Sequence, residues 1–139
     1  MKNHFFCSFL HPAGKIVMNN YIIRKDLKKR IGEMMKYRRI DVYVPETHAE
    51  AVKQAMFDAG AGTLGNYDCC CFQTVGRGQF RPLPGADPYL GETNRVEHVT
   101  EWKLEMIFPE EKLPAVLAAL RQAHPYETPA FQHWAVEIE

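Results

Sequence analysis

Residues 121–134, RQAHPYETPAFQHW, gather His124, Tyr126, Glu127 and His133 around two prolines. A neutral imidazole beside a carboxylate suits a divalent metal, whereas a protonated imidazole beside free backbone amides suits a carboxylate or phosphate. His124 falls at the end of an apolar-periodic stretch, where the negative end of a helix dipole favours a cation. Pro125 would stop that helix, and Tyr126 and Glu127 would turn the chain into a last strand. The same residues therefore describe either a site or a specified turn.

Three other stretches invite chemistry. GAGTLG at 60–65 matches the letters of a dinucleotide fingerprint, but a helix precedes it and a strand follows, the reverse of what that motif needs. What survives is a loop whose amides at Gly62 and Gly65 are candidates to hold an anion. CCC at 69–71, read as part of a strand, sends Cys69 and Cys71 to one face and Cys70 to the other. Cys70 then reads as a small buried hydrophobe, and Cys69 and Cys71 as candidate soft-metal ligands with a histidine such as His124. The six histidines show neither H-x-x-x-H nor H-E-x-x-H spacing, and no Ser-His-Asp order, P-loop or nucleophile–base pair is legible. An enzyme is the weakest reading.

The elements that must position these residues follow from periodicity. YRRIDVYV at 37–44 alternates Ile40, Val42 and Val44 against Arg39, Asp41 and Tyr43, a half-buried strand closed by Pro45. Thr47 and Glu50 have capping-box spacing, Val52, Ala55, Met56 and Ala59 give a helical stripe, and Gly60 suits its C-terminal end. NYDCCCFQTV at 66–75 reads as a second strand and residues 76–95 as a Gly- and Pro-rich loop. VEHVTEWKLEMIF at 96–108 reads as a long third strand with Trp102, Leu104, Met106 and Phe108 on one side. A second helix over 111–123 carries Leu113, Val116, Leu117 and Leu120, with Pro114 tolerated in its first turn. A fourth strand spans 130–138. The order β-α-β-β-α-β predicts an α+β, ferredoxin-like sandwich with two helices on one face of an antiparallel sheet. The other face, expected to carry Tyr43, Tyr67, Cys69 and Cys71, would be wet or covered by another subunit.

A chain of 139 residues with 46% hydrophobic content suffices for one domain. Its zero net charge gives no argument for nucleic acid or membrane, yet the charge is uneven. Residues 1–37 hold eight basic against two acidic side chains, leaving nine basic against fifteen acidic in the rest. Residues 1–35 read as a basic leader, disordered or the product of a start codon assigned too early, ahead of a domain over 36–139. No apolar run approaches the roughly 18 residues of a membrane helix. With no export signal legible, a cytoplasmic protein with reduced thiols is expected.

Three blocks then align with one family. GAGTLGNYDCCCF resembles its glycine loop, Asn-Tyr pair and Cys-x-Phe strand. GRGQFRPLPGADPYLG resembles its Gly-x-Gly-x-Phe-x-Pro loop and Asn-Pro-Tyr-x-Gly, with Asp87 in place of asparagine. EHVTEWKLE and ALRQAHPYE resemble its Glu-x-Val-x-Glu strand and His-Pro-Tyr-Glu turn. Over about residues 36–139 the chain resembles the PII/CutA-like insert of the YqfO, or Nif-three-like, proteins. The dinuclear metal site of the full-length proteins lies in another domain, whose histidine motifs have no counterpart here. The resemblance implies a non-enzymatic ligand-sensing or regulatory module that self-associates, as a trimer. It also implies an inter-subunit pocket lined by Gly62, Gly65, Asn66, Tyr67, His124, Tyr126 and Glu127. A divalent metal or a small organic anion would be its ligand. The alternative is a divalent-metal-binding or tolerance protein of CutA type, using Cys69, Cys71 and His124.

Overall fold

A four-stranded antiparallel sheet of spatial order β2-β3-β1-β4 organises the structure, a computed structural model that describes residues 36–138. Expectations about residues 1–35 lie outside the described residues. The strands are β1 (Tyr37–Pro45), β2 (Phe72–Phe80), β3 (Glu97–Pro109) and β4 (Phe131–Val136). The helices are α1 (Ala49–Asp58) and α2 (Leu113–Ala123), each entered through a 3-10 turn, at Glu46–His48 and Glu110–Lys112. The ferredoxin-like arrangement expected from the sequence is the one observed.

The core forms because each element turns its apolar period inward. Ile40, Val42 and Val44 of β1 meet Leu104, Met106 and Phe108 of β3, the registers Ile40↔Met106 and Val42↔Leu104 placing them on one face. Val52 and Met56 of α1 and Val116 and Leu120 of α2 cover that face, all four fully buried. Trp102 is half-buried at the margin of this cluster.

Three local expectations need correction. The capping box does not form: α1 starts at Ala49 without a side-chain cap, and the Thr47 hydroxyl instead pairs with His48 Nδ1 at 2.9 Å. The second strand starts at Phe72, not Asn66, and runs on to Phe80 through residues expected to be loop. Cys69 has a left-handed backbone (φ 52°), and the Cys70 N–H donates to the Gly62 carbonyl at 2.9 Å, so the cysteines return to the glycine loop before the sheet begins. Gly76 and Gly78, which resembled turn residues, lie inside β2, and the Glu101 side chain crosses the strand at Gly78. A Cβ at Gly78 would collide with the Glu101 carboxylate. Cys71, not Cys70, consequently packs against the core.

The uncovered face of the sheet also differs from expectation. Of Tyr43, Tyr67, Cys69 and Cys71 only Tyr43 belongs to a strand. The centre of the face is an ion-pair network. Asp41 accepts from Arg39 Nε at 2.9 Å and pairs with Lys103 Nζ at 2.8 Å, while Glu105 pairs with Lys103 at 3.0 Å and also with Arg39. The Arg39 guanidinium lies 5.4 Å from the Trp134 ring centre. Burial favours the neutral Asp41, but Lys103 and Arg39 outweigh it and hold the carboxyl below its ordinary range.

Candidate functional site

His124 ends α2 with an extended backbone (φ −74°, ψ 134°) and is buried, at 6% exposure. Its N–H donates to the Leu120 carbonyl at 2.9 Å. Nε2 donates to the Tyr43 carbonyl at 2.9 Å, and Nδ1 accepts the Tyr126 N–H at 3.1 Å. One nitrogen must carry the proton and the other a lone pair, which is the neutral tautomer. Burial lowers its pKa, partly opposed by the bond to Tyr43. His124 thus clamps the turn to β1, and neither a protonated anion-binder nor a metal ligand describes it. This corrects the expectation from the helix dipole, because both ring nitrogens are already used.

The clamp aims Tyr126 at a cavity. Tyr126 lies 5.1 Å from the His124 ring, 5.9 Å from Phe80 at the end of β2, and 6.2 Å from Tyr89. Tyr89 reaches this position on the loop between β2 and β3. There a turn closed by the Ala86 N–H to the Leu83 carbonyl (3.1 Å) places Pro84 and Gly85 (φ 98°) at its centre, the pattern of a type II turn. Glu127 Oε1 accepts the Asp87 N–H at 3.1 Å and ties the loop to the turn. His48 meets Tyr89 edge-on at 5.4 Å. Glu101 of β3 completes the wall of a cavity of about 240 Å³.

The polar groups of this cavity are unsettled. The Tyr126 hydroxyl is buried and has no hydrogen-bond partner among the described residues. Glu101 lies near enough to influence it, yet no well-formed bond closes between them. Burial first, and then the Glu101 carboxylate, push the Tyr126 phenol up to about 12. Burial likewise raises Glu101, with the approach of the Tyr126 hydroxyl opposing it. A buried polar group without a partner costs about 1–3 kcal/mol, which favours pairing of the Tyr126 hydroxyl with the Glu101 carboxylate.

The glycine loop is elsewhere. Gly62 (φ 72°) donates its N–H to the Ile107 carbonyl at 2.9 Å, and a Cβ there would lie 2.7 Å from the Cys70 carbonyl oxygen. Its amide is therefore consumed by the fold and does not form part of an anion nest. Leu64 and Tyr67 exchange N–H to carbonyl bonds of 2.9 and 3.0 Å across a tight turn with Gly65 and Asn66 at the tip, and Tyr67 is 74% exposed. Glu101 and Ile107 are six residues apart on β3, about 20 Å of strand. Within one subunit the structure brings Tyr126 and Glu127 together but leaves Gly62, Gly65, Asn66 and Tyr67 at the opposite end. Cys69, Cys71 and His124 do not converge, and no group of three His, Cys, Asp or Glu side chains forms a metal site among the described residues. The described residues of a single chain therefore do not assemble the thiol-and-imidazole set. Phe80, Tyr89 and Glu101 were missed as site residues. The signal was present in QF, PY and the Glu-rich strand, hidden by reading residues 76–95 as one loop.

Fold and geometry define a PII/CutA-like, ferredoxin-like domain. Its backbone matches the periplasmic divalent cation tolerance protein CutA from Archaeoglobus fulgidus with a TM-score of 0.53 at 18% identity, over 74% of this chain and 86% of that one. More particularly, it resembles the insert domain of Nif3-like proteins. A Bacillus cereus protein related to NIF3 matches with a TM-score of 0.65 at 36% identity, over 75% of this chain and 26% of that one. The Bacillus subtilis GTP cyclohydrolase 1 type 2 homolog is 42% identical over 100 residues, 72% of this chain and 27% of its own length. Its Mycobacterium bovis counterpart is 45% identical over 95 residues, 68% of this chain and 25% of its own. The chain thus spans about a quarter of the curated relatives it matches. No protein-family model matches it. No helix among the described residues is long and apolar enough to cross a membrane.

Proposed function

We propose that this domain is a non-enzymatic, cytoplasmic regulatory module that binds a small ligand and self-associates as a homotrimer. The observation that carries the reading is the cavity between the β2–β3 loop and the His-Pro-Tyr-Glu turn, lined by Phe80, Tyr89, Glu101 and Tyr126. A ligand seated there touches both the long hairpin and the start of β4, so occupancy changes how the hairpin is held. The cyclohydrolase named for the relatives is not the activity proposed, since this chain matches only about a quarter of their length.

Self-association is supported by the hairpin itself. β2 is an edge strand, paired only with β3, and is exposed along most of its length, with Phe72 69% accessible. A long exposed edge with apolar side chains is a template for a further strand or subunit. We take the closed ring to be a trimer, in which the turn at residues 64–67 of one subunit would face the cavity of the next. That placement would reunite the two groups of residues that lie about 20 Å apart within a subunit. Native mass spectrometry of the full chain tests both halves. Trimers carrying a bound small mass are expected. Monomers at tens of micromolar remove the assembly, and ligand-free protein that binds nothing from a metabolite extract removes the sensing role.

A further inference from the structure

The cavity at the hairpin base carries a strong chemical bias. Among the described residues its charged lining groups are the carboxylates of Glu101 and Glu127, with neither lysine nor arginine. Phe80, Tyr89 and Tyr126 set three aromatic rings around it, adjacent centres about 6 Å apart by their measured 5.9 and 6.2 Å. Ring faces are electronegative and attract cations, most strongly where water is partly excluded. An anion placed here would meet two carboxylates. Burial already holds Glu101 above its ordinary range, so added negative charge is resisted and added positive charge is welcomed. The Tyr126 ring lines the cavity, while its hydroxyl is covered from solvent beside Glu101. Pro82, Pro88 and Leu90 form an apolar wall. A volume of about 240 Å³ is below the range usual for drug-sized ligands, so it suits a small head group and a short stem.

We propose that the cavity binds a small organic cation, an ammonium or guanidinium group on a short apolar stem. The charged head lies between Glu101 and the rings of Tyr89 and Tyr126, and the stem lies along Pro88 and Leu90. This rests on the sensing role proposed above and names the class of ligand. It departs from the organic anion or divalent metal implied by sequence resemblance.

Three probes of one shape decide it: n-butylammonium, 1-butanol and butyrate, titrated into the full chain at pH 7.5 with NMR shifts as the readout. The account expects n-butylammonium to bind at least about tenfold more tightly than 1-butanol, with butyrate weakest. Shifts should centre on Phe80, Tyr89 and Tyr126. Glu101→Gln should erase the preference for the cation, and Tyr89→Leu should weaken n-butylammonium several-fold. An unchanged far-UV spectrum and melting temperature would show that both variants fold. Equal binding of 1-butanol, tighter binding of butyrate, or no n-butylammonium shifts in the cavity each overturns the cation assignment. The sensing role survives those results if native mass spectrometry still finds a bound small molecule, and fails separately if it does not.

Discussion

The two halves of β3 do different work. From Leu104 to Phe108 the strand lies under both helices, and its inward side chains are essentially inaccessible. From Glu97 to Glu101 it belongs to the hairpin with β2, half-buried or exposed on alternate residues, with a polar group left unpartnered where the turn meets it. One half shows how the chain is held together, and the other keeps the unsatisfied chemistry. Function is most economically sought where folding has left bonds unmade.

Substitutions should separate the halves, beginning with the largest effect. Phe108 is fully buried, so Phe108→Ala should cost about 3–5 kcal/mol and yield little soluble protein at 37 °C. Chemical denaturation of whatever remains soluble measures it. Near-native stability would mean that the closed half is not the core.

His124→Ala comes next. It strands the Tyr43 carbonyl and the Tyr126 N–H, each costing about 1–3 kcal/mol, and it should also release the turn that orders the cavity. The clamp has a pH signature. The folded ring holds its proton less readily than the ordinary value of 6.5, so its contribution is complete above 6.5. It is lost as pH falls from there toward the lower folded value, because the unfolded chain takes the proton first. Urea unfolding between pH 8 and 5 should show wild type losing stability more steeply than His124→Gln. Parallel curves would remove the clamp.

The open half should respond more mildly. Phe72→Ser on the exposed edge should leave melting within about 0.5 kcal/mol of wild type while weakening self-association in light scattering. Tyr126→Phe removes an unpartnered hydroxyl, so stability should stay level or rise by up to about 1 kcal/mol. A clear loss would reveal a hydrogen bond that the free protein makes.

The closed half was legible in the sequence because its signals are periodic. Ile40, Val42 and Val44 at period two, and Val116 and Leu120 at helical spacing, are each buried as expected. The open half was not, because its determinants are long-range. Gly76 and Gly78 carry a turn signal locally, which conceals the pairing of both with β3 and, at Gly78, the Glu101 side chain lying across the strand. The helix-terminal position of His124 was visible, but its role depends on Tyr43, 81 residues away in sequence. The same holds for the cavity, which Phe80, Tyr89 and Glu101 enter from three separate segments.

Chemical-shift mapping tests the contrast between the two ends of β3 most directly. The isotopically labelled full chain would be titrated with a small-metabolite fraction of a cell extract. The account predicts shifts that saturate and centre on Phe80, Tyr89, Glu101 and Tyr126, with residues 104–108 unmoved. Saturating shifts confined to residues 62–72, with Tyr126 and Glu101 silent, would contradict it.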